Sequence, residues 1–277
     1  MKRIMILMMA ALLPLMAGAQ AQIDTKKMKI ADFPEKVTKI VLTGSDFFDL
    51  SLQDEVAATW RVSPYEFCTL EEFETLKNDE NLYFLITTND QFKREDSPGI
   101  QFMSLVKGGK GADKGIGEMF EVVSMPIASA VDPSGREYTF LAAFLDIIQK
   151  HVLMSIESDI TGYAGLTNHT DNIQDCKGMT IVFSEDDLSG QVDRNSFDED
   201  MIVTDEDEAD EIMSDREAET LVSLVVAPSS GKSGSYCFKM LVNAETHELF
   251  YFRRHKITKK DPVGFLAEDL KKILSHR

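Results

Sequence analysis

The 277-residue sequence predicts a mixed α/β fold: two diverged tandem copies of a β-α-β-α-β-β-β-α unit, each a small mixed sheet with packed helices. Three observations predict it. The first is internal similarity, which fixes architecture before any motif does. Asp132-Pro133-Ser134-Gly135 precedes a helical pattern running through Phe140-Leu141-Ala142 to His151, and Asp261-Pro262-Val263-Gly264 precedes Phe265-Leu266-Ala267 and reaches His276. In the same chain order, Lys39-Ile40-Val41-Leu42 parallels Thr180-Ile181-Val182-Phe183, and Phe67-Cys68-Thr69 parallels Ile202-Val203-Thr204. Phe102, Leu105 and Val106 parallel Phe238, Leu241 and Val242, and Glu118-Met119-Phe120 parallels Glu248-Leu249-Phe250. The second observation is a set of short apolar runs, Tyr83–Ile86 and Leu221–Val226, of the kind buried on both faces of a sheet. The third is that the first three strands of each copy alternate with helical patterns, which favours parallel pairing.

The elements follow in order. Strands are expected near 38–43, 65–68, 82–88, 100–106 and 118–125, and again near 179–184, 201–203, 220–227, 235–242 and 248–257. The last two strands of each copy are close in sequence and read as an antiparallel hairpin. Phe48, Leu52, Val56 and Trp60 recur every four residues, which is one stripe of a helix. Thr69-Leu70-Glu71-Glu72 is a capping box, and Thr204-Asp205-Glu206-Asp207 is a version with a shorter acid. The two final helices differ. The second places Leu266, Leu270, Ile273 and Leu274 opposite Asp269 and Lys272, whereas the first has Phe144 and Ile147 where those charges stand. A helix apolar on several faces is buried on several faces. The helix over 136–157 is therefore expected to pack on its own sheet and on the second copy or the linker. Residues 158–178, rich in Gly, Asn and Asp, read as that linker between copies spanning 22–157 and 179–277.

Residues 1–21 read as a cleaved signal peptide: Lys2 and Arg3, the apolar run Ile4–Met16, then Ala17-Gly18-Ala19 and Ala19-Gln20-Ala21. No later stretch reaches the ~20 apolar residues of a membrane span. Export, to the periplasm or beyond the cell, is the expectation. The chain carries 29 basic and 47 acidic residues, a formal charge of −18. That balance argues against nucleic acid as a partner, because phosphate neutralisation needs Lys and Arg. The imbalance is local, since residues 185–219 hold 16 acidic and two basic residues.

Candidate chemistry is sparse. Ser45 and Asp46 follow Gly44 after the first strand, a position used by many α/β enzymes and also by helix N-caps. Asp198, Asp200, Asp205 and Asp207 are candidate oxygen ligands for a divalent cation, although no EF-hand spacing is present. Asp205, Glu206 and Asp207 also suit the positive end of a helix. Lys107 and Lys110, in the glycine-rich stretch 107–115, are candidates for an anion, and the same stretch reads as a flexible hairpin connection. Lys232 lies in Gly231-Lys232-Ser233, which lacks the leading glycine of a P-loop and precedes a strand. Arg253 and Arg254 could hold an anion or pair with the acidic tract. His151 and His276 are expected to close equivalent helices, where positive charge is favourable. Among the cysteines, Cys68 and Cys237 read as core positions, and Cys176, in the linker, as the reactive or paired thiol. No histidine spacing suggests zinc, and no cofactor is expected.

Trp60-Arg61-Val62-Ser63-Pro64-Tyr65-Glu66-Phe67, with Leu70-Glu71-Glu72-Phe73 after it, resembles uncharacterised exported proteins of Bacteroidota-type bacteria. The resemblance covers about a sixth of the chain. It implies a bacterial envelope setting and no activity. The copies share apolar positions and helix registers but no repeated polar constellation. This favours a non-enzymatic envelope protein that binds a protein partner or small ligand. The alternatives are a hydrolase-type enzyme at Ser45 and Asp46, and a weak divalent-cation binder in 185–219.

Overall fold

The computed structural model describes residues 30–92, 95, 97–158 and 164–276. The signal sequence read at 1–21 and Gly162 of the linker lie outside the described residues. Two five-stranded mixed sheets are present. The first comprises β1 (Val37–Val41), β2 (Tyr65–Cys68), β3 (Leu82–Asp90), β4 (Ile100–Lys107) and β5 (Phe120–Ser129), in the order β2-β1-β3-β4-β5. The second comprises β6 (Thr180–Ser184), β7 (Met201–Thr204), β8 (Thr220–Val226), β9 (Tyr236–Asn243) and β10 (Leu249–Lys256), in the order β10-β9-β8-β6-β7. In each sheet the first strand pairs in parallel with the second and third, and the last two strands pair antiparallel. The two sheets are thus the same topology drawn twice, as the internal similarity predicts.

Register refines the alignment of the copies. Ile40 sits opposite Leu85 and Phe67, and Ile181 sits opposite Leu221 and Met201. Phe67 therefore corresponds to Met201, one residue before the expected Ile202. On the fourth strands Thr88 opposes Phe102 while Leu224 opposes Met240, so Phe102 corresponds to Met240 and not Phe238. A period-2 pattern survives a two-residue slip unchanged, which is why sequence alone misplaces it.

Among the described residues the α-helices are α1 (Asp46–Thr59), α2 (Leu70–Leu76), α3 (Arg136–Thr139), α4 (Leu141–Glu157), α5 (Glu206–Ser214) and α6 (Ala267–Leu274). α1 buries Phe48, Leu52 and Val56, and Trp60 behind it, as its stripe requires. α2 opens with the expected capping box: Thr69 accepts from the Glu72 amide and Glu72 accepts from the Thr69 amide. The corresponding cap in the second copy falls one residue later than expected. Asp205 accepts from the Glu208 amide at 2.9 Å, while Thr204, still on β7, pairs with Ser184 of β6. The second copy also departs from the repeated unit, because no α-helix joins β6 to β7 among the described residues. That connection is made of loops and short 3-10 turns at Glu185–Asp187 and Arg194–Ser196. Leu188 and Val192 stand four residues apart, but Phe197 falls five further on, so the apolar spacing does not continue into a stripe long enough to dock a helix.

Three apolar clusters set the layers. α2 covers the outer face of sheet one, where Phe73 packs with Val41, Cys68, Phe84, Ile86 and Val106. α6 covers the outer face of sheet two, with Leu270 and Ile273 against Phe183, Leu241, Tyr251 and Phe265. The largest cluster lies between the sheets and draws on both copies. It contains α1, α4 and the inner residues of α5, Ala209 and Met213, with Val182, Val222 and Leu224 from sheet two. Phe102 meets Phe238 edge-on at 5.6 Å across it. Phe144 and Ile147 are 0% and 1% exposed, as expected of a helix sandwiched between its own sheet and the other copy. The His247 imidazole Nδ1 lies 2.7 Å from Asp146 of α4, and Lys150 pairs with Glu248.

The segment read as a linker is partly structured. Gly165–Asp175 is a 3-10 helix laid along β10, where Thr170 Oγ1 donates to the Phe252 carbonyl and Asn172 Nδ2 donates to that of Leu249.

Candidate functional site

In open α/β sheets, ligands bind at the carboxyl ends of parallel strands, where successive connections leave a strand in opposite directions. β1 is that strand in sheet one. Its end opens on a crevice of about 220 Å³ lined by Leu42, Thr43, Leu70, Thr87, Asn89 and Gln101, among others. A broader, shallower depression of about 620 Å³ lies by Trp60–Tyr65, at the opposite end of β1, away from this edge. Ser45 and Asp46 are exposed at the start of α1. Ser45 holds the cap position with extended backbone, but its side chain makes no capping bond. Asp49, in the first turn, folds back onto the preceding loop. Its carboxylate accepts from the amides of Thr43 and Gly44 at 2.7 and 2.8 Å and from the Thr43 hydroxyl at 2.8 Å. Gly44, at φ +86°, turns those amides toward it. The donors that such a loop offers to a phosphate or oxyanion are thereby filled by the chain's own carboxylate.

The matching position in sheet two is filled by the other copy. By register Ser223 corresponds to Thr87 and Val225 to Asn89. There Asp187 accepts from the Ser223 hydroxyl at 2.5 Å and the Val225 amide at 2.9 Å, and it holds Arg136 Nη1 at 3.0 Å. Arg136 Nε donates to Asp210 at 2.7 Å and Nη2 to the Ser223 carbonyl at 3.0 Å, and Phe140 lies under the guanidinium. Arg136 is 3% exposed and Asp187 3%. Burial raises the pKa values of Asp210 and Glu206, against the pull of Arg136. Part of the acidic tract is thus a receptor for one arginine of the first copy.

The remaining candidates are dispersed. Lys107 pairs with Asp32 at 3.2 Å and lies over Tyr83. Lys110 is exposed in a connection built from two short 3-10 turns, Ala112–Lys114 and Ile116–Glu118. The Gly108 and Gly109 amides there donate to the Leu82 and Lys77 carbonyls, so they are not offered to an anion. Lys232 lies in the turn before β9. Arg253 pairs with Asp269 at 3.5 Å and Glu268 at 4.0 Å, and Arg254 lies over Tyr236, so neither makes the expected pairing with the acidic tract. Asp198 and Asp200 lie in the loop before β7, Asp205 caps α5 and Asp207 is in its first turn. Among the described residues no group of three or more His, Cys, Asp or Glu is arranged to hold a metal ion. The three cysteines are buried and not disulfide-bonded, which corrects the reading of Cys176 as the reactive or paired thiol. It packs with Ile173 and Ile181 in the outer cluster of sheet two. Burial pushes the Cys237 thiol up to about 11.

Three polar features escape sequence reading. Arg136 is one. A second is Asp269, expected on a solvent face but 0% exposed. It pairs with buried Lys239 and accepts from Tyr251 Oη at 2.6 Å and the Leu266 amide at 2.8 Å. The third is His151, expected at a helix end as a cation. It lies inside α4 at 0% exposure, beside His169 at 1%. Burial lowers both pKa values to about 4, so both rings are neutral at pH 7. Each partner lies on a different element, and no local spacing announces the pair.

No protein-family model, curated protein or solved structure matches the chain.

Five large apolar side chains stand exposed on the segments that follow the carboxyl ends of β1, β2 and β5 in sheet one. Phe47 is 82% exposed and Leu50 60%, both on α1. Leu70 is 48%, Val131 69% and Tyr138 42% exposed. Phe48 beneath them touches Tyr138 at 6.0 Å, joining α1 to α3.

Proposed function

We propose that the chain is an exported, non-catalytic envelope protein that binds a protein partner along the carboxyl edge of its first sheet. The observation that carries this reading is the exposed set Phe47, Leu50, Leu70, Val131 and Tyr138 beside an open crevice. Apolar side chains gathered at one edge gain by being covered, about 25 cal/mol per Å² removed from water. The crevice wall supplies hydroxyls and carboxamides, Thr43, Thr87, Asn89 and Gln101, which orient a partner through hydrogen bonds. The hydrolase alternative needs a nucleophile and a base in mutual reach. Ser45 is exposed, and the neighbouring carboxylate of Asp49 is spent on the Thr43 and Gly44 amides.

The test compares the tagged protein with a Phe47→Asp, Leu50→Asp variant in pull-downs from its own envelope fraction. Both sites are exposed, so stability should change by less than about 0.5 kcal/mol per site. A partner recovered by the parent and lost by the variant is the expected result. An unchanged set of recovered proteins, or substrate turnover abolished by Ser45→Ala, would overturn the proposal.

A further inference from the structure

The buried histidine pair stands apart from the binding edge and is independent of the function proposed above. His151, on α4, and His169, on the Gly165–Asp175 3-10 helix, have ring centres 5.7 Å apart, with planes tilted by 41°. All four ring nitrogens are buried without a hydrogen-bond partner. Each polar atom left so costs about 1–3 kcal/mol, and such groups in a native structure call for an explanation, an ion among them. Neutral imidazole is a common metal ligand through either ring nitrogen.

We propose that His151 and His169 form a two-coordinate site for a monovalent copper ion. Two metal–nitrogen bonds of about 2 Å on opposite sides of one ion set the ring centres about 6 Å apart, close to the observed 5.7 Å. Ligand number and charge select the ion. Zinc takes four ligands, whereas Cu(I) is satisfied by two in a line. No third His, Cys, Asp or Glu joins this pair among the described residues. Buried Ile147, Ile148, Val152 and Leu166 flank the two histidines in sequence, and among the described residues Lys150 is the one charged side chain whose field reaches His169. The desolvation cost of an ion rises with the square of its charge, so a single positive charge between neutral ligands is the least costly metal to bury there.

The test uses the full mature protein under anaerobic conditions, titrated with Cu(I) in competition with bicinchoninate, with Zn(II) in parallel. The parent is expected to withdraw one equivalent of Cu(I) from the chelator and to melt at a higher temperature with it, since a ligand of the native state stabilises it. His169→Phe and, separately, His151→Leu should lose both effects. His169 lies outside α4, so the first variant serves if the second fails to fold. Failure of the parent to withdraw copper, undiminished binding by a folded variant, or Zn(II) binding as tight as Cu(I) would overturn the proposal.

Discussion

Asp187→Asn removes one charge from the site of Arg136 while keeping the shape of the side chain. The guanidinium is 3% exposed and rests on two carboxylates within 3.0 Å, those of Asp187 and Asp210, and on the Ser223 carbonyl. Losing one partner of a buried ion pair costs about 3–5 kcal/mol, because the other charge remains desolvated. Asp210 survives in the variant and offsets part of that. The carboxamide that replaces the Asp187 carboxylate has a single acceptor oxygen, so it would also have to choose between the Ser223 hydroxyl and the Val225 amide. The expected loss is therefore about 2–4 kcal/mol, a large share of the 5–15 kcal/mol that holds a typical domain. Urea unfolding followed by far-ultraviolet circular dichroism measures it as a lower midpoint. A double-mutant cycle with Arg136→Met separates the pair from its surroundings. A loss below about 1 kcal/mol, or strict additivity of the two substitutions, would refute the view that this arginine joins the copies.

Further outcomes follow from the buried polar groups and two glycines. Lys239→Met should cost about 2–4 kcal/mol, because Asp269 at 0% exposure keeps only Arg253, at 3.5 Å, as a cationic partner, and adding Asp269→Leu should recover much of it; a larger loss for the pair than for Lys239→Met in urea unfolding would contradict this. The histidine pair makes stability depend on pH. Both folded pKa values, about 4, lie below the ordinary value of 6.5, so the unfolded chain binds the protons more tightly. That stability is complete above pH 6.5 and is lost as pH falls toward 4, by about 3 kcal/mol per ring. Melting temperatures recorded from pH 7 to 4 should fall more steeply for the parent than for His151→Leu, His169→Phe; parallel curves would exclude the pair as the cause. Gly111→Ala should destabilise by more than about 1 kcal/mol, since φ is +93° and a Cβ would meet the Glu118 carbonyl oxygen at 1.9 Å. Gly44→Ala, at φ +86° with nothing within 4 Å, should cost less in the same melting assay.

The strands and most helices are legible because their signals are local. The Phe48–Trp60 stripe, the Thr69–Glu72 box and the apolar runs of β3 and β8 each report on their own neighbourhood. The packing of Phe144 and Ile147 is legible too, since an extra apolar face demands a second cover. What sequence hides is non-local. Arg136 lies 51 residues from Asp187 and 74 from Asp210. Nothing in Gly135-Arg136-Glu137 distinguishes a buried arginine from a solvated one. Asp269 looks like a solvent-facing charge until β9 brings Lys239 beneath it. The acidic tract misleads in the same way. A cluster of carboxylates reads as a cation surface, yet Asp187 and Asp210 answer a guanidinium supplied by the other half of the chain. Of the candidate site, only its place after the first strand is visible beforehand, and the filling of that loop by Asp49 is not.

The two copies share one interior. α4 closes the interior of sheet one and reaches the second copy through Asp146 and Lys150, so its inner surface belongs to both halves. Sheet two, on its central side, has α5 as its only α-helix from its own copy among the described residues, and it borrows Arg136 to complete the end of β6. The first copy's strand ends face outward, whereas the end of β6 is closed by Asp187 and Arg136.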